Sequence, residues 1–285
     1  MCTECGCGLP GEKPATLSGP GHDHPHSHGH HPHSHDHDHP HDHDHDHEDE
    51  PGPARDADSS GRTLEVHRAI LEKNDRLAER NRGFFHARGL LVLNVLSSPG
   101  SGKTTFIRET IRKLGDRLRS GVIVGDLATD NDARRLREAS DSVVQINTGT
   151  VCHLEADMVG RAVGQLNLDG LGLLVVENVG NLVCPASYDL GEDLRIVLLS
   201  VTEGEDKPIK YPPMFQSAGT FVVTKMDLAT ACEFNRDAAL GNLKRLAPAA
   251  PVFEVSAKTG QGMDAWCEYL IQQQKELKSR NPLGA

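Results

Sequence analysis

The sequence lacks a long apolar run, and this absence excludes several classes of protein. None of its apolar stretches approaches the roughly 18 consecutive residues that a membrane-spanning helix needs. Its first residues also lack the apolar segment that is typical of a secretory signal peptide. The sequence therefore predicts a cytoplasmic protein that does not associate with membranes.

Basic charge is scarce as well. The chain has 30 Lys and Arg residues against 41 Asp and Glu residues, a net charge of −11. Residues 1–61 contain thirteen of the acidic residues and two of the basic ones, so this segment accounts for the whole imbalance. No strongly basic surface is expected, which argues against a nucleic-acid partner.

Disulfides are not expected either. The cysteine count is seven, an odd number, and three of these residues fall within the first seven positions. Such spacing is typical of metal thiolates in a reducing cytosol. Cys2, Cys5 and Cys7 form a C-x-x-C-x-C pattern that predicts a compact site for a soft or borderline ion such as Ni²⁺, Zn²⁺ or copper(I). Redox cysteines and lipidation of Cys2 are the alternative interpretations.

A histidine tract follows this cysteine cluster. Fourteen of the seventeen histidines lie between His22 and His47, interleaved with aspartate, proline and serine. A segment with so little apolar content is expected to be disordered without metal. We interpret it as a store or buffer for nickel or zinc; a polar spacer is the alternative. The sequence thus divides into a Cys/His-rich metal-binding tail with a linker over residues 1–61 and a second domain over residues 62–285.

The segment "LLVLNVLSSPGSGKTTFIRETI" contains a phosphate-binding loop. A buried-strand run precedes a glycine-rich turn, which opens a helix, and this is the setting in which backbone N–H groups cradle phosphates. Lys103 would contact the β- and γ-phosphates, and Thr104 would hold Mg²⁺. Ser97 stands at the usual first glycine. The predicted loop contacts to nucleotide are Gly100, Ser101, Gly102, Lys103, Thr104 and Thr105.

Two later strands end in residues suited to the phosphate side of the same site. "SGVIVGD" ends at Asp126, which we predict to orient water or to hold Mg²⁺ through a water. "GLLVVENVG" contains Glu177 at its strand end and Gly180, whose amide could approach a γ-phosphate. Ligands in parallel sheets bind at the carboxyl ends of strands, so these segments should converge. Lys103 and Asp126 are the predicted catalytic residues.

Two further segments are suited to reading a guanine base. "TKMD" resembles the N-K-x-D element, with Thr224 in the asparagine position, Lys225 over the base and Asp227 as the acceptor for guanine donors. The backbone of Ser256, Ala257 and Lys258 in "VSAKTG" would meet the guanine O6. The Thr224 departure leaves the strictness of GTP over ATP open.

Cys152 and His153 adjoin each other in "INTGTVCHLE". They are either ordinary packing residues, since free cysteine is often a small apolar core residue, or part of a metal site. Cys232 and Cys267 lack such companions and are interpreted as structural, and His67 and His86 as surface or packing residues.

Alternating patterns predict an α/β fold: a P-loop domain with a mostly parallel sheet and helices on both faces. Strands are predicted near residues 91–96, 121–125, 143–146, 172–177, 194–199, 219–224 and 251–255. Helices are predicted near residues 64–85, 103–118, 131–138, 153–167, 232–246 and 262–278. The segment "TEGEDKPIKYP" is expected to form a loop near the nucleotide or the dimer face.

These motifs together resemble the HypB family, the nickel-inserting hydrogenase maturation GTPases of the SIMIBI class. The segments that carry the resemblance are "CTECGCG", the histidine tract, "SSPGSGKTT", "GDLATDNDA", "TGTVCHLEADMV", "ENVGNLVCPASYDLGE", "VTEGEDKPIKYP" and "TKMDL". The resemblance implies a metal site formed by Cys152, His153 and Cys184. Cys184 lies four residues beyond Gly180, so the ligand would move with a loop that senses the γ-phosphate.

The resemblance also implies a GTP-dependent homodimer that cycles between GTP and GDP. Its implied partners are a HypA-type nickel chaperone, the hydrogenase large-subunit precursor and SlyD. Three other functions stay open on the sequence. They are a nickel storage or detoxification protein, a GTPase that delivers nickel to urease, and an ATP-dependent partitioning-type switch.

Overall fold

Seven short apolar segments pair into one parallel sheet in the computed structural model, which describes residues 57–127 and 130–280. The Cys2/Cys5/Cys7 cluster and the histidine tract lie outside these residues. The strands are β1 Leu91–Leu96, β2 Ser120–Asp126, β3 Val143–Asn147, β4 Leu173–Glu177, β5 Leu194–Ser200, β6 Thr220–Thr224 and β7 Val252–Glu254. Their order across the sheet is β3-β2-β4-β1-β5-β6-β7, and every pairing is parallel.

The central strands are apolar on both faces because helices cover both. All six residues of β1 are buried, and β4 is buried throughout. The helices are α1 Ala57–Ala87, α2 Lys103–Leu114, α3 Asn131–Arg137, α4 Ala156–Val163, α5 Lys207–Lys210, α6 Pro212–Gln216, α7 Arg236–Leu246 and α8 Met263–Arg280.

Side chains of β1 alternate between two helical layers, as the period of a strand requires. Leu93 and Val95 pack in the core that contains α2 and α8, whose Trp266 is fully buried. Val92 packs in a second core with Phe85 of α1 and residues of α4. A third core joins α6 and α7 to the β5–β6 side of the sheet. The predicted mostly parallel sheet with helices on both faces is therefore confirmed.

Several helices begin or end a few residues from the predicted positions. Helix α4 begins at Ala156 rather than near residue 153. Helix α7 begins at Arg236 rather than near residue 232, because Asn235 caps this helix by accepting a hydrogen bond from the Ala238 amide. Helix α2 ends at Leu114, where Gly115 takes a φ of 49°. Helix α1 extends beyond the predicted 64–85 at both ends.

The segment "TEGEDKPIKYP" is not the predicted loop. It begins within a 3₁₀ turn at Val201–Glu203, contains helix α5 and ends at the first residue of α6. Each of these two helices has a proline in its first turn, where the missing N–H costs nothing. Among the described residues, no helix combines the length and apolar character that a membrane crossing needs.

Candidate functional site

The loop between β1 and α2 carries the phosphate-binding motif. Gly100 and Gly102 take positive φ angles of 75° and 95°, a conformation that glycine adopts without steric cost. The turn directs Lys103 into the interior, where its side chain is 9% exposed. Burial lowers the pKa of Lys103, and the nearby Glu177 carboxylate opposes that effect. A buried cation next to open space is suited to binding an anion.

The sequence analysis underestimated the importance of Ser97. Its hydroxyl accepts a hydrogen bond from Lys103 Nζ at 3.0 Å and another from the Ser101 hydroxyl at 2.5 Å, and it donates to the Ser98 carbonyl at 2.9 Å. A glycine at this position would leave the lysine without that partner. The departure from the usual motif therefore adds a contact that holds the lysine in the loop.

Thr104 and Glu177 meet at the start of α2 and the end of β4. The Thr104 hydroxyl donates to Glu177 Oε1 at 2.8 Å, and Glu177 Oε2 is buried with no hydrogen-bond partner among the described residues. Burial raises the pKa of Glu177 to about 7, against the lowering effect of Lys103. A hydroxyl beside an unsatisfied buried carboxylate oxygen supplies the hard oxygen donors that Mg²⁺ prefers. The donor set therefore fits this ion.

A cavity of about 460 Å³ opens in front of the loop. Its walls include Asp126 at the end of β2 and Gly180 after β4, together with Asp132 and Arg135 of α3, which the sequence analysis did not single out. A Cβ on Gly180 would lie 3.1 Å from the Pro99 backbone, so only glycine allows this close approach without a shift.

A second cavity of about 200 Å³ lies on the other side of the loop. Its lining includes Lys225, Asp227, Ala257 and Lys258, from the two segments expected to read a base. Asp227 Oδ1 accepts a hydrogen bond from the Ser256 hydroxyl at 2.7 Å, and Lys225 Nζ donates to the Gly100 carbonyl at 2.8 Å. These contacts join the base-side segments to each other and to the phosphate loop.

Thr224 takes part in the same connection. Its hydroxyl donates to the Ser101 carbonyl at 2.9 Å, and both residues are buried. Threonine in the asparagine position therefore still bridges β6 to the phosphate loop.

Cys152, His153 and Cys184 form a cluster of their own. One ligand atom from each lies within 4.8 Å of the others, and the two sulfurs are 2.9 Å apart with both cysteines reduced. Thiolate and imidazole suit nickel and zinc better than magnesium. The three side chains fit an ion of that kind.

His153 lies in an environment suited to a ligand. Its ring stacks on Tyr188 with centroids 4.0 Å apart, and neither ring nitrogen has a hydrogen-bond partner in the described part of the chain. Burial lowers the pKa of His153 to about 4, so the imidazole is neutral near pH 7 and keeps a lone pair for a metal. Tyr188 was not anticipated, because ring stacking between distant residues leaves no local pattern.

The other singled-out residues lie elsewhere. Cys267 is fully buried beneath α2, whereas Cys232 is exposed, so the structural interpretation of Cys232 was wrong. His86 pairs with Asp193 at 2.7 Å in the packing of α1 against the sheet.

The sheet is parallel, and the glycine loop after β1 carries a buried lysine and a hydroxyl. Acidic residues lie at the ends of neighbouring strands. Together these features define a P-loop nucleotide-binding protein. Residues 91–254 match the family model described as CobW/HypB/UreG, nucleotide-binding domain. The chain belongs to the HypB family of hydrogenase maturation factors.

Three similar proteins are of this family. Hydrogenase maturation factor HypB of Escherichia coli K12 is 49% identical over 212 residues, 74% of this chain and 73% of that protein. The structure of HypB from Helicobacter pylori in complex with nickel is 41% identical, with a TM-score of 0.69, and covers 72% of this chain and 96% of that one. HypB from Archaeoglobus fulgidus is 36% identical, with a TM-score of 0.67 and coverages of 71% and 99%.

Proposed function

We propose that this protein is a slow, Mg²⁺-dependent GTPase that delivers nickel to the [NiFe]-hydrogenase large-subunit precursor. The observation that carries the proposal is the cluster of Cys152, His153 and Cys184, which lies on segments that adjoin the cavity wall in sequence or by hydrogen bond. Cys184 is four residues beyond Gly180, and the amide of Leu154 donates to the side chain of Asn178; both Gly180 and Asn178 line the cavity. The nickel in the Helicobacter pylori relative supports nickel as the cargo.

In this proposal the phosphates of GTP occupy the larger cavity. Lys103 and the loop amides of residues 100–105 stabilise the charge that develops as water displaces GDP from the γ-phosphate, because phosphoryl transfer depends mainly on positioning and charge neutralisation. Thr104 and Glu177 hold Mg²⁺, which neutralises phosphate charge when bound. Asp126 orients the attacking water or holds the ion through a water, and Gly180 directs its amide toward the γ-phosphate.

The base occupies the smaller cavity. Asp227 accepts hydrogen bonds from guanine, Lys225 covers the base, and the amides of Ser256, Ala257 and Lys258 meet the O6 atom. Adenine lacks the donors that an aspartate at this position would accept. The existing hydrogen bond from Ser256 to Asp227 supports this assignment, since it fixes the carboxylate in the cavity wall.

Nickel is the cargo of the switch. Three ligands from one chain leave a site open, and a GTP-dependent homodimer would bring two such groups together and close them. The segment after β4 that carries Gly180 is called the Gly180 loop. GTP hydrolysis would then relax this loop and release nickel. Zn²⁺ can occupy the same ligands. A HypA-type chaperone, SlyD and the large-subunit precursor are the proposed partners.

The proposed domain division completes the scheme. Residues 1–61 would act as the metal-binding tail, with Cys2, Cys5 and Cys7 as one site and the histidine tract as a nickel store, and residues 62–285 as the GTPase.

The test measures the affinity for a non-hydrolysable GTP analogue and for GDP, each with and without nickel, in the full chain with Mg²⁺ in excess. We define the nickel coupling ratio as the Kd without nickel divided by the Kd with nickel. Because linkage is reciprocal, a nucleotide that tightens the metal site must itself bind more tightly when nickel is present. The coupling ratio should be at least about fivefold higher for the analogue than for GDP.

The variant Cys184→Ser controls for nickel held by the tail, and its two coupling ratios should be equal. Lys103→Ala should lose phosphate release from GTP. Equal coupling ratios in the unmodified chain would contradict the proposed switch.

A further inference from the structure

Two buried asparagines connect the nucleotide cavity to the Cys152/His153/Cys184 cluster. Asn178 follows Glu177 directly, and its Oδ1 accepts hydrogen bonds from the amide of Val179 at 2.9 Å and from the amide of Leu154 at 3.3 Å. Val179 precedes Gly180, and Leu154 follows His153. One carboxamide oxygen therefore joins the loop beside the γ-phosphate position to the segment that carries two of the candidate ligands.

Asn94, in the middle of β1, holds the carboxamide of Asn178 in place through a hydrogen bond. Its Oδ1 accepts from Asn178 Nδ2 at 3.1 Å, and its own Nδ2 donates to Glu192 Oε1 at 3.1 Å. Asn94 is 0% exposed and Asn178 is 1% exposed, so water does not compete for these hydrogen bonds.

The connection continues to the third ligand. Arg195 donates to Glu192 Oε1 at 2.9 Å and to the carbonyls of Ala186 at 2.9 Å and Tyr188 at 2.7 Å. Ala186 lies in the 3₁₀ turn Cys184–Ser187, and the Tyr188 ring stacks on His153. We call this chain of hydrogen bonds through Asn178, Asn94, Glu192 and Arg195 the relay. It reaches both segments that supply the cluster.

The groups on either side of the two asparagines in the relay, a carboxylate and two backbone amides, determine which atom donates in each of their hydrogen bonds. A carboxylate can only accept, so Asn94 must turn its amino group to Glu192 and its oxygen to Asn178. Backbone amides can only donate, so Asn178 must turn its oxygen to Leu154 and Val179. The relay has one self-consistent arrangement, and a rotation of either carboxamide would leave several buried groups unpaired.

We propose that Asn94 and Asn178 are positioning residues that transmit nucleotide-dependent movement of the Gly180 loop to the Cys152/His153/Cys184 cluster. The inference rests on the proposed nickel switch. A shift of Val179 on nucleotide exchange alters the acceptor that it shares with Leu154, and the anchored carboxamide passes the shift to His153. Without the anchor, the two segments move independently.

The experiment applies the nickel coupling ratio to the full-length variant Asn94→Ala. Asn94 contacts neither nucleotide cavity nor any of the three ligands, so the Kd for GDP without nickel should stay within about twofold of wild type. The analogue and GDP coupling ratios should become equal within about twofold. A structural role alone would not remove the difference between two nucleotides while leaving GDP binding intact.

Asn81→Ala is the matched control. Asn81 is also buried and donates to the carbonyls of Ala156 at 2.7 Å and Leu190 at 3.2 Å. It lies near the same segments, since the Leu190 amide donates to Glu192 Oε2 at 2.7 Å, but neither of its two hydrogen bonds is to Asn94, Asn178 or Glu192. This variant should lose comparable stability and keep the wild-type difference between coupling ratios. If Asn94→Ala fails to fold, the variant Asn94→Leu, which is similar in size and removes both hydrogen bonds, is measured in its place, with the same expected loss.

The outcomes separate the two proposals. A wild-type difference that persists unchanged in the asparagine variant overturns the relay and leaves the nickel switch standing. No difference in the wild-type chain overturns the switch, and the relay with it. Loss of the difference in Asn81→Ala as well would also overturn the relay, because any buried asparagine would then suffice.

Discussion

Thr224 joins the base-reading strand to the phosphate loop through one hydrogen bond, and the variant Thr224→Val tests how much nucleotide binding depends on it. Valine keeps the branched shape and removes the hydroxyl that donates to the Ser101 carbonyl at 2.9 Å. That carbonyl belongs to a residue that is 1% exposed, so water does not readily replace the lost donor. Leaving a buried acceptor unsatisfied costs about 1 to 3 kcal/mol.

The expected loss of affinity follows from this cost. If 1 to 2 kcal/mol of it falls on the geometry of the nucleotide-binding loop, the Kd for GDP should rise between about 5-fold and 30-fold, since about 1.4 kcal/mol corresponds to a factor of ten. The assay is a fluorescence titration with a labelled GDP at fixed Mg²⁺. Thr224→Ser keeps the hydroxyl and should stay within about threefold of wild type.

A second threonine on the same strand supplies the matched control. Thr220 is fully buried, and its hydroxyl lies 3.1 Å from the hydroxyl of Tyr269, away from both nucleotide cavities. Thr220→Val should lower the free energy of unfolding to a similar degree while GDP affinity stays at the wild-type value. Equal GDP affinities for Thr224→Val and wild type would refute the bridging role.

Two other variants or reactions test separate parts of the structure. Cys232 is exposed and should be alkylated rapidly at pH 8. Cys267 should react at least about a hundredfold more slowly in the native protein, because burial raises the pKa of its thiol to about 11. Mass spectrometry of time points measures both rates, and equal rates would contradict the packing of α8. Gly180→Ala should slow phosphate release from GTP about tenfold or more with GDP affinity little changed, since the added Cβ would lie 3.1 Å from the Pro99 backbone; wild-type turnover would show that the close approach is unimportant.

The parts of the site that were predictable from sequence are those encoded in short contiguous segments. The phosphate loop, including Lys103 and Thr104, has its whole pattern within a few residues, and parallel strands bring their carboxyl ends to one edge. Ser97 was underestimated because its value depends on where Lys103 turns, which spacing does not specify. Asn94 and Asn178 were missed for a different reason. They meet across 84 positions, and a single asparagine within an apolar strand carries no signal of its partner.

The short helices around residue 210 show a further limit. Charged residues dominate "TEGEDKPIKYP", which favoured a loop, yet Pro208 lies in the first turn of one brief helix and Pro212 begins another. Packing of Met214 and Phe215 into the third core outweighs the low helix propensity of so short a segment.

The candidate metal ligands come from two segments, and under the proposed switch this division determines how a nucleotide could act on the ion. Cys184 follows the loop after β4, whereas Cys152 and His153 precede α4, so a loop movement larger than the one passed on to His153 would change the separation between the sulfurs. The sulfurs are 2.9 Å apart, whereas metal–sulfur bonds of about 2.3 Å require about 3.8 Å between them at a tetrahedral ion. An ion of that kind would therefore need the two segments to separate, and a loop that responds to the γ-phosphate could control that separation.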